Sequence, residues 1–336
     1  MGGRLDATVG ERRVARALRP GAPLEVVEVG VEAVAEPGPG QALVRVEAAA
    51  VNRSEGLALR GGAYAEGLPF PCPLGYEGAG TVVAAGPGAG VEAGTRVCWA
   101  PVPGSCADYL TVPAELLVPV PGSLSAEEAA RLPSAGATAL LLTRVWPLAG
   151  ATAVVWGAAG PVGRMLTVLL VEAGAEVIGI AGGERVDAVR KLGAAHAIDR
   201  LGQDVAEAVA EHTGGRGATV VFDPVGEPTY RTSLAMLGRR GCLVNYGELS
   251  GELPAVDLMD LMDKGLFVTK FGGGGAIDSL SDFRGLVAGA LEVALRHPEA
   301  ISEVGGRFPL EQVAEAYDAL GANQPGKILV VPSQPN

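Results

Sequence analysis

Two rhythms of hydrophobic and polar residues divide the chain. In the first third, short apolar stretches rich in Val, Gly and Pro alternate with turn residues, and they predict strands at residues 42–47, 80–84 and 96–99. Short strands with frequent Gly and Pro turns are typical of an antiparallel, barrel-like β region. The first part of the chain is therefore predicted to be a β-rich domain.

From about residue 125, strand-like and helix-like segments alternate instead. Strands are predicted at residues 152–156, 176–180, 195–198, 218–222, 243–246 and 266–270. A βαβ series of this kind predicts a doubly wound parallel sheet, so the fold class is α/β. After helices near 280–296 and 310–320, the strand at 327–331 is expected to return to the first domain. We therefore expect a discontinuous domain at 1–124 and 273–336 and a sheet domain at 125–272.

The acidic balance of the chain bears on its partners. It has 38 Asp and Glu against 26 Lys and Arg, a formal net charge of −12. Such a surface repels nucleic acid and anionic lipid, so we expect neither nucleic-acid nor membrane partners. The four cysteines are sparse, and the start lacks the apolar segment of a secretory signal. We therefore expect reduced thiols in a cytoplasmic protein.

The sharpest motif lies between the predicted strand at 152–156 and the helix after it. It reads Gly-Ala-Ala-Gly-Pro-Val-Gly over residues 157–163. Glycines here permit a tight turn and let backbone N–H groups approach a pyrophosphate at the helix N-terminus. The motif predicts a dinucleotide-binding loop whose cofactor contacts are Gly157, Ala159, Gly160, Pro161, Val162 and Gly163.

The next strand decides which dinucleotide is bound. An NAD site usually carries Asp or Glu at the end of this strand, to hold the ribose 2′-hydroxyl. Here the strand ends at Ala181 and Gly182 without a carboxylate, and Arg185 follows. A small residue leaves room for a 2′-phosphate and a guanidinium pairs with it, so NADPH is the predicted cofactor.

Two further segments follow the fifth and sixth predicted strands. Ligands bind at the carboxyl ends of parallel strands, so both segments are expected to flank the cofactor. Their residues are Asn245, Tyr246 and Gly247 after the fifth strand, and Phe271, Gly272 and Gly273 after the sixth. The glycine run that includes Gly273 fits an interdomain hinge equally well.

No metal site is predicted. The histidines, His196, His212 and His297, are far apart in the sequence and absent from the β-rich domain, and no C-x-x-C pattern occurs. A zinc site built from Cys72, Glu77, Cys98 and Cys106 is the alternative that the spacing leaves open.

Short stretches in order along the chain match one family. They lie at residues 50–55, 60–64, 74–80, 94–97, 132–133, 138–139, 222–226 and 326–328. With the loop at 157–163 they make the chain resemble the medium-chain dehydrogenase/reductase superfamily, in its zinc-independent quinone oxidoreductase-like branch, over nearly its whole length. The resemblance implies a GroES-like catalytic domain, a Rossmann domain and a homodimer. It also implies NADPH-dependent reduction of quinones, enones or enoyl thioesters.

The resemblance also assigns individual residues. Zinc-dependent relatives carry Cys near Asn52 and His directly before Glu77, whereas this chain has Val51 and Tyr76. The family's pattern without these ligands implies a site that holds no metal. The family's threonine that faces the nicotinamide corresponds to Thr138. Lys327 is a candidate to assist near the cofactor, and a lysine at a strand edge without that role is an equally open interpretation.

Reduction of an activated alkene needs hydride at the β-carbon, a proton at the α-carbon and stabilisation of charge on the carbonyl oxygen. Tyr64, in a Gly-rich loop, is the candidate donor, and Asn52 is expected to orient the substrate or the nicotinamide. A loop aromatic that only covers the site is an equally open interpretation of Tyr64. Two other functions stay open: an enoyl-thioester reductase of fatty-acid or polyketide assembly, and an NADPH-binding redox sensor or structural protein without turnover.

Overall fold

The computed structural model describes residues 10–61, 65, 67–272, 277–322 and 325–333. The chain divides into two compact units. Unit 1 comprises Met1–Ser134, Asp278–Leu291 and Glu303–Asn336, and unit 2 comprises Ala135–Ile277 and Glu292–Ser302. No helix of the described residues is long and apolar enough to cross a membrane.

The strands of the described residues follow in chain order. They are β1 (Glu11–Ala17), β2 (Val27–Ala33), β3 (Gln41–Val51), β4 (Cys72–Pro73), β5 (Glu77–Ala85), β6 (Arg96–Trp99), β7 (Tyr109–Pro113), β8 (Val118–Pro119), β9 (Thr152–Trp156), β10 (Glu176–Ala181), β11 (His196–Asp199), β12 (Ala218–Asp223), β13 (Leu237–Asn245), β14 (Phe267–Lys270), β15 (Val304–Pro309) and β16 (Lys327–Val331).

The α-helices of the described residues lie between these strands along the chain. They are α1 (Pro23–Val26), α2 (Arg53–Arg60), α3 (Ala126–Ala130), α4 (Pro133–Leu142), α5 (Pro161–Glu172), α6 (Val186–Lys191), α7 (Val205–His212), α8 (Glu227–Met236), α9 (Met259–Met262), α10 (Leu280–Arg296) and α11 (Val313–Ala319).

Unit 1 is built on an antiparallel sheet with one parallel pair at its edge. Its strand order is β15-β16-β3-β5-β6-β8, with β7 also paired to β3. β16 pairs antiparallel with β3, where Ile328 lies opposite Val51. The predicted return of residues 327–331 to the β-rich domain is thereby confirmed. Tyr317 and Trp99 are fully buried in its core.

Unit 2 is a parallel sheet in the order β11-β10-β9-β12-β13-β14. The chain winds outward from β9 in both directions, which confirms the predicted doubly wound α/β fold. Buried apolar side chains such as Val154, Ile180 and Val221 form its core. The parallel pairing brings the carboxyl ends of the strands to one edge, so the residues that follow them lie at that edge.

The unit boundaries differ from the expected domain boundaries at three places, the smallest being that unit 2 extends to Ile277 instead of ending at residue 272. Residues 125–134 belong to unit 1 rather than to the sheet domain, because α3 packs against β3 and β5. Residues 292–302 belong to unit 2, where the Nε of Arg164 donates to the carbonyl oxygen of Glu299 at 3.1 Å.

Candidate active site

The loop between β9 and α5 has the geometry of an anion-binding turn. Gly157 turns the chain with a φ of 64°, and Pro161 is the first residue of the twelve-residue helix α5. The N–H groups of Val162 and Gly163 lie in the first turn, where a helix offers them no acceptor. Such groups, together with the helix dipole, favour a phosphate group at this end.

Gly163 is required by packing. A Cβ on Gly163 would stand 2.2 Å from the carbonyl oxygen of Gly157 and 2.7 Å from the Cα of Ala158. A Cβ on Gly160 would come no closer than 3.2 Å to that oxygen. Gly163 therefore lets α5 approach the strand, while the half-buried Ala159 and Gly160 keep the backbone open toward a ligand.

The end of β10 presents backbone flanked by two guanidinium groups. Arg185 Nε donates to the carbonyl oxygen of Gly182 at 3.4 Å. Arg200 Nε lies 3.4 Å from the point where a Cβ on Gly182 would stand. Ala181 and Gly182 are buried, whereas both arginines are exposed. We call Ala181, Gly182, Arg185 and Arg200 the Gly182 corner; the sequence analysis missed Arg200 because it follows the neighbouring strand.

One carboxylate lies at this corner on the neighbouring strand, although β10 itself ends without one, as the sequence shows. β11 pairs with β10 so that Asp199 lies opposite Ala181. Asp199 Oδ1 accepts the backbone N–H groups of Gly183 at 2.9 Å and Leu201 at 3.0 Å. These two donors lower the pKa of Asp199, so the hydrogen bonds from Gly183 and Leu201 stabilise its ionised carboxylate.

The segments after β13 and β14 are tied together by a lysine. Lys270 Nζ donates to Asn245 Oδ1 at 2.8 Å and to the carbonyl oxygen of Gly247 at 3.2 Å. A Cβ on Gly247 would meet the carbonyl oxygen of Pro224 at 2.6 Å, so this glycine serves packing. The backbone of Phe271 donates to the carbonyl oxygen of Asn245 at 2.7 Å. The expected cofactor contacts at Asn245, Gly247 and Phe271 thus belong to one braced edge, which also carries Tyr246 and Gly272.

Unit 1 contains a second concentration of polar residues, which we call the Glu77 cluster: Asn52, Glu55, Glu77, Tyr317 and Lys327. Glu77 is fully buried, and its Oε1 accepts from Asn52 Nδ2 and from Lys327 Nζ, each at 2.7 Å. Its Oε2 accepts the backbone N–H of Ser134 at 2.8 Å. A buried carboxylate needs such partners, because removing a charge from water is costly.

Asn52 has no amide proton left for another acceptor. One proton goes to Glu77 and the other to Glu55 Oε1 at 3.1 Å, while Oδ1 accepts from Lys327. Lys327 Nζ carries three protons, of which Glu77 and Asn52 use two. Within the described residues the third proton of Lys327 is therefore the donor of this cluster that remains free.

Glu55 lies behind Asn52, with its carboxylate held from both sides. Oε1 accepts the Asn52 backbone N–H at 2.9 Å, and Oε2 accepts the Tyr317 hydroxyl at 2.8 Å. Burial raises the pKa of Glu55 from 4.5 to about 7, against the lowering effect of these hydrogen bonds. The cluster thus contains a carboxyl group that titrates near neutral pH.

The remaining predicted site residues have different outcomes. Thr138 lies half-buried on α4, and its hydroxyl makes no hydrogen bond within the described part of the chain. Tyr64 and Gly273 lie outside the described residues.

The chain is similar to known oxidoreductases over most of its length. The Alcohol dehydrogenase GroES-like domain family matches residues 38–122, and the Zinc-binding dehydrogenase family matches residues 161–290. A quinone oxidoreductase of Pseudomonas aeruginosa is 33% identical over 311 residues, which cover 89% of this chain and 93% of that protein. The chain belongs to the medium-chain dehydrogenase/reductase superfamily. Its relatives place it among the quinone oxidoreductase-like members.

Two more members of the superfamily strengthen the match. A 2-haloacrylate reductase of a Burkholderia species is 34% identical over 326 residues, covering 89% of this chain and 93% of that protein. The structure of Escherichia coli quinone oxidoreductase complexed with NADPH has a TM-score of 0.85 at 27% identity, covering 96% of this chain and all of that one. The predicted GroES-like and Rossmann folds are therefore confirmed.

The metal ligands expected of a zinc-dependent superfamily member do not come together. Among the described residues, no group of three or more His, Cys, Asp and Glu side chains is placed to hold a metal ion. Burial raises the pKa of Cys98 to about 12 and that of Cys106 well above its ordinary value, which keeps both thiols protonated. His196 and His212 are distant in sequence, yet their rings stack with centroids 3.8 Å apart, which corrects the expectation that no two histidines lie near each other.

Proposed function

We propose that the protein is an NADPH-dependent reductase of carbonyl-conjugated C=C bonds or of quinones. The observation that carries the proposal is the Gly182 corner, where Arg185 and Arg200 flank backbone without side chains. Two guanidinium groups suit a 2′-phosphate, and the loop at 157–163 suits the pyrophosphate of the same cofactor. The E. coli relative complexed with NADPH supports this choice.

The Glu77 cluster supplies a role for the chain's own residues. Bound NADPH provides the hydride that the β-carbon of the substrate receives. In our proposal the free proton of Lys327 hydrogen-bonds the substrate's carbonyl oxygen as negative charge grows there, an effect that needs a donor fixed beforehand. Glu77 and Asn52 provide that fixation. In the same proposal the proton for the α-carbon comes from Tyr64, the candidate donor of the sequence, for which a loop aromatic that only covers the site is the other interpretation.

The test is a panel of substrates followed by the loss of NADPH absorbance. A quinone, an enone, a 2-haloacrylate and a crotonyl thioester should be compared at saturating NADPH. We expect turnover with the quinone, the enone or the haloacrylate. Preference for the thioester would favour an enoyl-thioester reductase, and tight NADPH binding without any turnover would favour a redox sensor.

We also propose that turnover does not depend on zinc, since the described residues offer no ligand set. Purified protein should contain no stoichiometric zinc by elemental analysis, and exhaustive chelation should leave turnover unchanged. About one zinc per chain, lost together with activity, would contradict this proposal and return attention to Cys72, Cys98 and Cys106.

We infer further that the chain forms a homodimer through the outer edge of β14. This strand is the last of its sheet, and open strand edges invite pairing with another chain. Large apolar side chains are exposed on and before it: Leu253, Val256, Leu258, Met259, Met262 and Phe267. Light scattering should find a dimer for the wild type and a monomer for Met259→Lys/Met262→Lys. A dimer that survives both charges would place the interface elsewhere.

A further inference from the structure

A small basic cavity lies at the edge of the unit 2 sheet opposite the dinucleotide loop. Its volume is about 160 Å³, and its lining includes Arg216, Arg239 and Lys264. These residues stand at the amino-terminal ends of β12, β13 and β14. Since the strands are parallel, the Gly182 corner and the 157–163 loop are at the other end of the sheet. We call this cavity the Arg239 pocket.

Two glycines set the distance between the two backbone segments that carry Arg216 and Arg239. A Cβ on Gly217 would stand 2.5 Å from the backbone nitrogen of Gly238, and a Cβ on Gly238 would stand 2.4 Å from the carbonyl oxygen of Arg216. The two backbone segments therefore touch without side chains between them. This contact holds Arg216 and Arg239 on neighbouring segments around one space.

The backbone beside the pocket is strained at Arg240, which follows Arg239 and does not itself line the cavity. The pairing of β12 with β13 shifts register between Ala218 and Val220, and Arg240 there has a φ of 60°. Among the described residues it is the one non-glycine residue with a positive φ. Glycine would adopt this conformation without strain, so a glycine at this position relieves the strain while the pocket lining stays unchanged.

The positive charge of the pocket is unbalanced. The side chains of Arg216 and Arg239, which line it, make no hydrogen bond or ion pair within the described residues, although the chain carries a net charge of −12. Lys264 is anchored differently: its Nζ donates to the carbonyl oxygens of Ala235 at 3.0 Å and Leu237 at 2.7 Å. Its third proton remains for a ligand.

We propose that the Arg239 pocket binds a phosphoryl group, from inorganic phosphate or from a phosphate monoester. Guanidinium groups present paired N–H donors that match phosphoryl oxygens. The volume resembles that of cavities, about 150 Å³, that admit a molecule of benzene size, so it holds one such group. Because the pocket and the dinucleotide loop occupy opposite ends of the sheet, phosphate and NADPH bind independently.

The test measures binding of inorganic phosphate by calorimetry at constant ionic strength, with chloride as the balancing anion. The wild type should bind about one phosphate per chain at the pocket, with and without saturating NADPH. Arg239→Gln and Arg216→Gln should each weaken this binding about tenfold or more, as expected when a charge-assisted hydrogen bond is lost. Arg190→Gln, which removes an exposed arginine of the same unit that pairs with Asp187, should leave it unchanged.

Arg240→Gly separates ligand binding from folding. Arg240 follows Arg239 but does not line the pocket, so relieving its strained φ should raise or preserve the melting temperature and leave phosphate binding unchanged. Glycerol phosphate, titrated in parallel, distinguishes the sources: tighter binding than inorganic phosphate assigns the pocket to a monoester, and weaker binding assigns it to the free ion.

Three results would overturn the proposal. The first is undiminished phosphate binding in Arg216→Gln/Arg239→Gln. The second is loss of phosphate binding in Arg185→Gln/Arg200→Gln or on adding NADPH, which would assign the ion to the Gly182 corner. The third is absence of a saturable heat in the wild type.

Discussion

The charged side chains of the Glu77 cluster and those of the Gly182 corner differ in their burial and in their hydrogen-bond partners. In the cluster, Glu77 and Lys327 are buried and bonded to each other. At the corner, Arg185 and Arg200 are exposed and make no side-chain hydrogen bond to another side chain within the described residues, although the charge of Arg200 acts on Asp199. A buried charge must be paired within the folded chain, because burying it without a partner costs much free energy. An exposed guanidinium remains hydrated and is free to bind a ligand.

This difference predicts where substitutions are felt. Changes in the Glu77 cluster should appear in the free energy of unfolding, and changes at the Gly182 corner should appear in cofactor affinity. Substitutions in the two regions can therefore be compared, because one region is complete before a ligand binds and the other is expected to be completed by its ligand.

The largest effect is expected from Lys327→Met. The substitution leaves the Glu77 carboxylate buried without its cation, and breaking a buried pair in this way costs about 3–5 kcal/mol of folding stability. Urea unfolding measures the loss. Arg231→Met is the control, because Arg231 pairs with Asp260 at 3.3 Å while 79% of its side chain is exposed; it should cost less than about 1 kcal/mol.

A double variant checks the reason for this loss. Lys327→Met/Glu77→Gln removes the uncompensated charge, so it should be more stable than Lys327→Met alone. Equal stability of the single and double variants would show that packing, and not the buried charge, sets the cost.

The next effect concerns pH and Glu55. Its pKa is about 7 when folded against an ordinary 4.5, so between these values the folded chain keeps a proton that the unfolded chain releases. Folding stability should therefore fall as pH rises through this window and level off above it. The fall is at most about 3 kcal/mol, reduced by the partial exposure of the residue. Glu55→Gln should abolish it in unfolding curves measured across the window.

A second capping box supplies the control. Glu55 and Glu128 occupy the same position of their boxes, with Asn52 and Ser125 as the caps. The pKa of Glu128 is lowered, chiefly by the backbone N–H of Ser125, so Glu128→Gln should cost stability at neutral pH and little at acidic pH. The same dependence in both variants would contradict the role of burial at Glu55.

Cofactor choice tests the Gly182 corner. Arg185→Ala and Arg200→Ala each remove a guanidinium that the 2′-phosphate would pair with, worth roughly 1.5–3 kcal/mol. NADPH should then bind about 10–150-fold more weakly, while NADH affinity should hardly change. Fluorescence titration of both cofactors measures this. Equal affinity of the wild type for NADPH and NADH would refute the assignment.

The sequence predicted those features of the two candidate regions that local chemistry decides. The glycine spacing at 157–163 and the strand before it determine the turn by themselves, and β9 begins and ends at the predicted residues. Strand β13 starts at Leu237, before its predicted start at residue 243. Residues 238–241, Gly-Arg-Arg-Gly, show no alternation of apolar and polar side chains, and the register shift lies in this segment.

Residues joined by tertiary pairing could not be found in this way. Lys327 and Asn52 are 275 residues apart and meet only because β16 pairs with β3. Arg200 reaches Gly182 because β11 lies beside β10. The signal for Arg200 was present, since the residue follows the next strand of a parallel sheet and must lie at the same edge.

The smallest effect distinguishes the two glycines that face Gly157. Gly163→Ala puts a Cβ 2.2 Å from a backbone oxygen, so α5 must shift, and overpacking of this kind costs about 1–3 kcal/mol of stability. Gly160→Ala meets the same oxygen at 3.2 Å with a φ of −81°, a conformation any residue adopts, so its stability should change by less than about 1 kcal/mol. If Gly160 keeps the backbone open to the cofactor, its alanine variant should instead bind NADPH more weakly at nearly unchanged stability. Thermal unfolding and NADPH titration of both variants decide the matter. Loss of stability in Gly160→Ala as large as in Gly163→Ala would show that the loop, like the Glu77 cluster, is set by packing before the ligand arrives.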